Sequence, residues 1–270
     1  MTDQDYDYIR KLLQERTAIM LEPGKQYLVE SRLMPIVRQL HLASISDLVA
    51  NMRQPDPGLQ TQVVEAMVTT ETSFFRDHAP FESLRKTVLP ELIRNRRIER
   101  TLSIWSAACA SGQEPYSIAI MLREHFPELA TWRINLLASD VSREVLARAA
   151  QASFNQIEVN RGIPAALLVK YFEQHGTTWQ IRADIASMVR FQDINLALAW
   201  PALPRFDLVL LRNVMIYFDV ETKKSILGRL GRLLRPDGYL LLGGAETTIN
   251  LDDSYRRVDN LKSGFYRREG

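Results

Sequence analysis

The feature that most constrains this chain is a change of texture near residue 101. From Thr101 onward, short apolar runs rich in β-forming residues alternate with stretches of helical periodicity. The expected strands are Leu102–Ser106, Ile134–Ser139, Val189–Asp193, Phe206–Leu211 and Tyr239–Gly243. The helices between them include Glu114–His125, Arg143–Ala150 and Thr222–Leu234. Near-continuous apolar strands separated by helices must be covered on both faces, which means a mostly parallel sheet in an α/β fold. Such a sheet has right-handed crossovers and takes ligands beyond the carboxyl ends of its strands. In the last helix Ile226, Leu227, Leu230, Leu233 and Leu234 face inward and Arg229 and Arg232 outward, and Pro236-Asp237-Gly238 turns the chain into the final strand. The rhythm breaks over 151–185. There Arg161-Gly162-Ile163-Pro164, a short helix to Phe172 and Gln174-His175-Gly176-Thr177-Thr178 read as a small insertion with a hairpin at Gly176.

The first hundred residues read as helices. One spans Asp3 to Ala18 and stops at Glu22-Pro23-Gly24-Lys25. A second runs from Gln26 to Leu40 with Leu28, Val29, Leu33, Ile36, Val37 and Leu40 on one side, and Pro35 predicts a kink or break in it. A third starts at Ser44 or Ser46 as N-cap and ends before Gln54-Pro55-Asp56-Pro57-Gly58; a fourth runs from Leu59 to about Val68.

Composition excludes several classes. Lys plus Arg number 34 against 32 Asp plus Glu, so bulk charge gives no sign of a nucleic-acid binder. No uncharged apolar run approaches the ~20 residues of a membrane span, and the acidic, polar N-terminus does not read as a signal peptide, so a cytoplasmic protein is expected. The single cysteine, Cys109, rules out an intramolecular disulfide and a multi-cysteine zinc site. The His residues at 41, 78, 125 and 175 show no ligand spacing, and no metal is expected.

Three places carry chemistry. Ile104-Trp105-Ser106-Ala107-Ala108-Cys109-Ala110-Ser111-Gly112-Gln113-Glu114-Pro115 is a strand that ends in small residues and opens a helix at Pro115. Small side chains let a ligand approach the backbone. The run has neither a full dinucleotide glycine fingerprint nor the Gly-Lys-Ser/Thr of a phosphate loop, and a tight turn that binds nothing is the bland alternative. Asp140, at the end of the next strand, either accepts the hydroxyls of a ribose or caps the following helix. Together the two features favour an adenosine cofactor, and the missing glycines favour S-adenosylmethionine over NAD. Finally, the buried run Phe206–Leu211 ends in Arg212-Asn213, polar residues aimed at the ligand crevice or a cap beside a surface arginine.

The ordered blocks TTETSFFRD (69–77), IWSAACASGQEPYSIAI (104–120), LLASDVSREVLARA (136–149), FQDINL (191–196), FDLVLLRNVMIYFD (206–219) and LLRPDGYLLLGGAET (233–247) resemble the CheR-type chemotaxis receptor glutamate methyltransferases. VESRLMPIVRQLHL (29–42) is similar to that family's basic helix, and the likeness covers nearly the whole chain. It implies an all-α N-terminal domain (1–75), a linker helix (76–100) and a Rossmann-like S-adenosylmethionine-dependent methyltransferase domain (101–270) with a β-subdomain inserted at about 151–187. It also implies methyl transfer to receptor glutamates, giving glutamyl methyl esters and S-adenosylhomocysteine, in chemotactic adaptation or a related chemosensory pathway.

Residue by residue, the resemblance sets Thr70, Thr72 and Arg76 at the cofactor's amino-acid end, Glu114 on its ammonium and Asp140 on its ribose. Asn195 and Leu196 would bind adenine. Arg212 and Asn213 would border the methionine portion, and Arg212 with Tyr217 would face the incoming glutamate, Arg76 helping to orient it. Gln113 and Ala110 depart from the family's usual Glu and Ser without removing Glu114. The alternatives are a non-catalytic S-adenosylmethionine sensor and a methyltransferase with another acceptor. The implied partner is the acidic cytoplasmic helical bundle of a chemoreceptor. Candidate basic surfaces are Lys25, Arg32, Arg38 and His41, and Arg94, Arg96, Arg97 and Arg100; a solvated face is the alternative for both. The short loop between Phe172 and Trp179 predicts no tight tethering to a receptor's C-terminal pentapeptide, and a monomer is expected.

Overall fold

The computed structural model describes residues 1–54, 57–261 and 263–269. Helices α1 (Asp3–Thr17), α2 (Gln26–Gln39), α3 (Ile45–Met52) and α4 (Pro57–Met67) form the N-terminal unit. A capping box of Thr2 and Asp5 starts α1, and Ser44 caps α3. Their inward stripes, including Ile9, Leu13, Val29, Leu33, Leu48 and Met52, close a core of their own. Pro35 does not break α2. It is exposed and withdraws one backbone donor, while Leu33, Ile36 and Val37 beside it are buried and hold the helix. The turn expected at Pro55 and Asp56 lies outside the described residues.

After an irregular segment, α5 (Ala79–Ser83), a π turn (Leu84–Val88) and α6 (Leu89–Asn95) run as one helical stretch. The rest alternates β1 (Thr101–Ala107), α7 (Gln113–His125), β2 (Arg133–Asp140), α8 (Arg143–Ala150), β3 (Ser153–Asn155), α9 (Gln156–Asn160), α10 (Ala165–Tyr171), β4 (Phe172–His175), β5 (Thr178–Ile181), α11 (Ala183–Ala186), β6 (Val189–Asp193), β7 (Phe206–Leu211), α12 (Val220–Leu233), β8 (Leu234–Leu242), β9 (Tyr255–Arg257) and β10 (Gly264–Arg268).

Strand order in the main sheet is β6-β2-β1-β7-β8-β10-β9, parallel except for the antiparallel pairs of β10 with β8 and β9. The chain winds from β1 outward through β2 to β6, then returns to β7 on the other side of β1. The carboxyl ends of β1 and β7 therefore flank a topological switch point, where such sheets bind ligands. Apolar clusters cover both faces: Phe74, Leu84, Leu92 and Tyr116 on one, Trp105, Phe206, Ile226 and Leu230 on the other. A separate sheet, β3-β5-β4, carries the hairpin at Gly176.

Pro236-Asp237-Gly238 does not sit before the last parallel strand but within it. The register jumps from Phe206 opposite Leu234 to Leu208 opposite Tyr239, so the turn is a bulge of β8. Arg229 is not simply outward: it stacks over Trp200 at 4.3 Å and donates to the Leu196 and Leu198 carbonyls. Strands β9 and β10 have no counterpart in the sequence reading.

Candidate active site

The site grows from strand ends. Leaving β1, the chain turns sharply through Ala108, Ala110 and Gly112 at φ 56°, 48° and 93°. Methyl groups are the largest side chains at those points, which is what lets the loop curl. The loop is pinned to β2, Cys109 N–H donating to the Ser139 carbonyl (2.8 Å) and Ala110 N–H to Asp140 Oδ2 (2.9 Å). Left-handed residues also occur at Phe75, Asp77 and Asn213 around the same crevice, the kind of backbone strain that gathers at functional sites.

Asp140 is buried at the tip of β2. Its Oδ1 accepts from Ser142 N–H at 3.1 Å, but the cap of α8 is Ser142, whose side chain accepts from Val145 N–H. The capping alternative for Asp140 is therefore filled by another residue. Burial raises the Asp140 carboxyl above its ordinary value, against backbone N–H bonds that lower it. Burial likewise pushes the Cys109 thiol well above its usual value, helped by the charges of Asp140 and Glu114, so it is an unreactive packing residue.

Glu114, in the first turn of α7, accepts from Ser106 Oγ (2.7 Å) and Arg212 Nη1 (2.9 Å). Arg212 follows β7 and its side chain is 2% exposed. Nη2 binds Asp77 Oδ2 (2.8 Å) and the Arg76 carbonyl (3.1 Å), while the buried Nε has no hydrogen-bond partner among the described residues. The guanidinium thus ties the end of β7 to α7 and to the segment before α5. Nη1 is held by Glu114 and Nη2 by Asp77 and the Arg76 carbonyl, while Arg212 still lines the cavity.

These elements surround a cavity of about 890 Å³ including its mouth. Of the residues singled out in the sequence, Thr72, Arg76, Glu114, Asp140, Asn195, Leu196, Arg212, Asn213 and Tyr217 all line it. Thr70 does not; that stretch of wall is made by Thr69, Glu71 and Thr72. Asn195 lines the cavity, yet its Nδ2 donates to the Arg16 carbonyl (2.6 Å) and its Oδ1 accepts from Ala197 N–H (3.0 Å).

The N-terminal unit closes the cavity from above, which the sequence reading missed. Thr17, Ile19, Met67, Val68 and Thr69 line it. Ile19 bridges Phe218, and Met20 N–H donates to the Tyr217 carbonyl at 2.8 Å. Arg32 donates to the Met67 carbonyl and to Thr69 Oγ1, so it braces this roof instead of presenting a free charge. Arg96 also leaves the list of surface cations: it is buried on Asp207 and pairs with Asp237. No local pattern announces these roles, because each depends on a partner far away in sequence.

Residues 70–263 match the family model described as "CheR methyltransferase, SAM binding domain", and residues 4–68 match "CheR methyltransferase, all-alpha domain". The chain is 39% identical over 268 residues to chemotaxis protein methyltransferase 1 of Pseudomonas aeruginosa, covering 97% of each chain. It is 40% identical over 259 residues to chemotaxis protein methyltransferase Cher2 of Pseudomonas putida, covering 94% of each. A chemotaxis protein methyltransferase of Vibrio parahaemolyticus is 35% identical over 263 residues, covering 96% of this chain and 94% of that one. Both halves of the chain, matched in order and over nearly their full length, carry one conclusion: the chain belongs to the CheR methyltransferase family and is an S-adenosylmethionine-dependent methyltransferase.

Proposed function

We propose that this enzyme methylates glutamate side chains of chemoreceptors, giving glutamyl methyl esters. The observation that carries the reading is the cavity at the switch point, with two buried carboxylates, Asp140 and Glu114, in its wall and Tyr217 at the opposite strand end.

The residues present fit an adenosyl cofactor. An ionised carboxylate offers about four acceptor sites. Asp140 spends part of this capacity on backbone N–H groups and Glu114 on Ser106 and Arg212, which leaves acceptors for ribose hydroxyls and for an ammonium. The partnerless Arg212 Nε–H is a buried donor in the same wall, suited to a carboxylate. Arg76 and Thr72 border that end, Asn213 borders the methionine portion, and Asn195 with the apolar Leu196 and Ile194 suits adenine.

S-adenosylmethionine supplies a methyl group on a cationic sulfur; a carboxylate oxygen bonds to that carbon as the carbon–sulfur bond breaks, leaving a neutral thioether. Because a glutamate is ionised near pH 7, the protein needs no strong base. Its work is to hold the acceptor in line. Half-buried Arg76 can orient a carboxylate by charge-assisted hydrogen bonds, and the Tyr217 phenol can fix one oxygen. Arg212, in the wall itself, fixes Glu114 and Asp77.

The acceptor is a cytoplasmic helical bundle with acidic sites, and the enzyme works there as a monomer. Among the described residues no helix is long and apolar enough to cross a membrane. With Arg32 and Arg96 engaged internally, Lys25, Arg38, His41, Arg94, Arg97 and Arg100 remain as the basic groups for that bundle. The β4–β5 connection is short, Gly176 and Thr177 between paired His175 and Thr178, which supports the absence of tight pentapeptide tethering. Micromolar binding of a receptor-tail pentapeptide would overturn that part.

Labelled cofactor incubated with receptor-enriched membranes tests the whole reading. Label on the receptor that base releases as methanol marks a carboxyl ester. Base-stable label, or label on another acceptor, refutes it.

A further inference from the structure

Glu246 lies beyond β8 and is itself assigned no contact with cofactor or acceptor; of the groups assigned above it meets the backbone N–H of Asn213. Its carboxylate is buried and fully occupied. Oε2 accepts from the N–H groups of Asn213 (2.8 Å) and Gly243 (2.7 Å), and Oε1 from those of Val214 (2.8 Å) and Met215 (2.7 Å). Three successive N–H groups from the exit of β7 and one from the end of β8 thus converge on one anion, the concave arrangement that backbone amides form around negative charge.

The surrounding sequence is shaped for this clip. Asn213 takes the left-handed conformation, φ 58°, that aims its N–H inward. A Cβ on Gly243 would stand 2.7 Å from Glu246 Oε2 and 2.8 Å from Asn213 N, so a side chain there would displace the carboxylate. The clipped residues lead directly into the single helical turn Met215–Tyr217. Adenosine-side groups hang from other strands, Asp140 from β2 and Asn195 beyond β6.

We propose that Glu246 is a positioning residue for methyl transfer: its carboxylate fixes the turn after β7, so that Asn213 and Tyr217 face the cavity in the reactive arrangement. The proposal rests on the function assigned above to that turn. Its signature is a split between turnover and cofactor binding, because the clip governs the methyl-transfer end and not the adenosine end.

The test is Glu246→Gln, which keeps the shape but offers one acceptor oxygen and turns an NH2 toward backbone donors. Turnover at saturating cofactor should fall about 100-fold, the usual cost of a displacement near 1 Å in a reacting geometry. Calorimetric affinity for S-adenosylhomocysteine should stay within about threefold. In Glu246→Ala, added formate or acetate should refill the clip and restore part of the turnover. A residue serving stability alone predicts a lower melting temperature, normal turnover of the folded enzyme and no rescue by acetate. That result, or equal losses in turnover and affinity, overturns the proposal. If the Gln variant does not fold, Gly243→Ala invades the clip from the end of β8 and must show the same split; wild-type turnover there is refuting. Wild-type enzyme runs alongside. Failure of wild type to esterify receptor glutamates removes the assigned function and this proposal with it, whereas active wild type with unaffected variants removes the proposal alone.

Discussion

Replacing Gly162 by Ala asks how the inserted segment supports the cavity wall. Gly162 sits at φ +100°, and an added Cβ would stand 1.9 Å from the Phe74 carbonyl oxygen and 2.9 Å from its carbonyl carbon. A carbon–oxygen contact is comfortable at about 3.3 Å, so the two backbones must part by roughly 1.4 Å. Neither atom is the end of a flexible side chain that could swing away. Gly176 provides the control: its φ is +61°, and among the described residues nothing lies within 4 Å of an added Cβ. Gly176→Ala therefore carries the left-handed penalty alone, about 1.5 kcal/mol. Gly162→Ala carries backbone strain plus forced separation, about 4 kcal/mol together. At roughly 3 °C per kcal/mol for a chain of this size, thermal melts should fall by about 4 °C for Gly176→Ala and about 12 °C for Gly162→Ala. The Phe74 carbonyl belongs to the stretch that supplies Glu71, Thr72 and Arg76 to the cavity. Gly162→Ala should therefore also weaken S-adenosylhomocysteine binding in calorimetry, and Gly176→Ala should not. Equal melting losses with unchanged binding in both variants would show that the insertion relaxes freely and does not support the wall.

Other outcomes follow from the same geometry. Asp140→Ala should abolish detectable cofactor binding by calorimetry, and unchanged affinity would remove Asp140 from the site. Since burial raises the Asp140 carboxyl and ribose binding uses its ionised form, affinity should drop on acidification at a pH above the ~3.9 of a free aspartate. An affinity that holds down to about pH 4 contradicts this. Tyr217→Phe should lower turnover more than it weakens cofactor binding, and equal damage to both would make Tyr217 structural. Arg96→Ala removes the 2.6 Å partner of Asp207, which is 0% exposed and keeps Ser103 N–H (2.7 Å) and a longer approach from Arg235 (3.4 Å). Leaving a buried charge short of its partner should cost about 3 kcal/mol in urea denaturation, and a loss under about 1 kcal/mol would show that Arg235 takes over.

Much of the architecture was legible because strand and helix periods are local properties. Phe206–Leu211 is six apolar or buried positions in a row, and α8 begins at its own Ser142 cap; both elements keep the bounds expected of them. The small-residue exit of β1 and the acid at the tip of β2 were legible for the same reason: a tight βα turn and a strand-end carboxylate are written in consecutive residues. Strands β9 and β10 were not. They are short, and β10 is a strand because β8 and β9 offer it edges on both sides, which no local pattern records.

Residue types and spacing therefore determined the sheet, the helices and the polar strand ends at Asp140 and Arg212-Asn213, while the family resemblance named the other side chains for an adenosyl cofactor. Tertiary structure decided which of those side chains are free. Arg212 lines the cavity while held by Glu114 and Asp77, Arg32 and Arg96 looked like surface charge but brace the roof and a buried aspartate, and Thr70 is not among the residues that line the cavity. The roof itself, and the Glu246 clip, exist because distant segments meet. A hydrogen-bond partner is fixed by position in space, and a lone carboxylate or guanidinium in a sequence does not say where its partner will be.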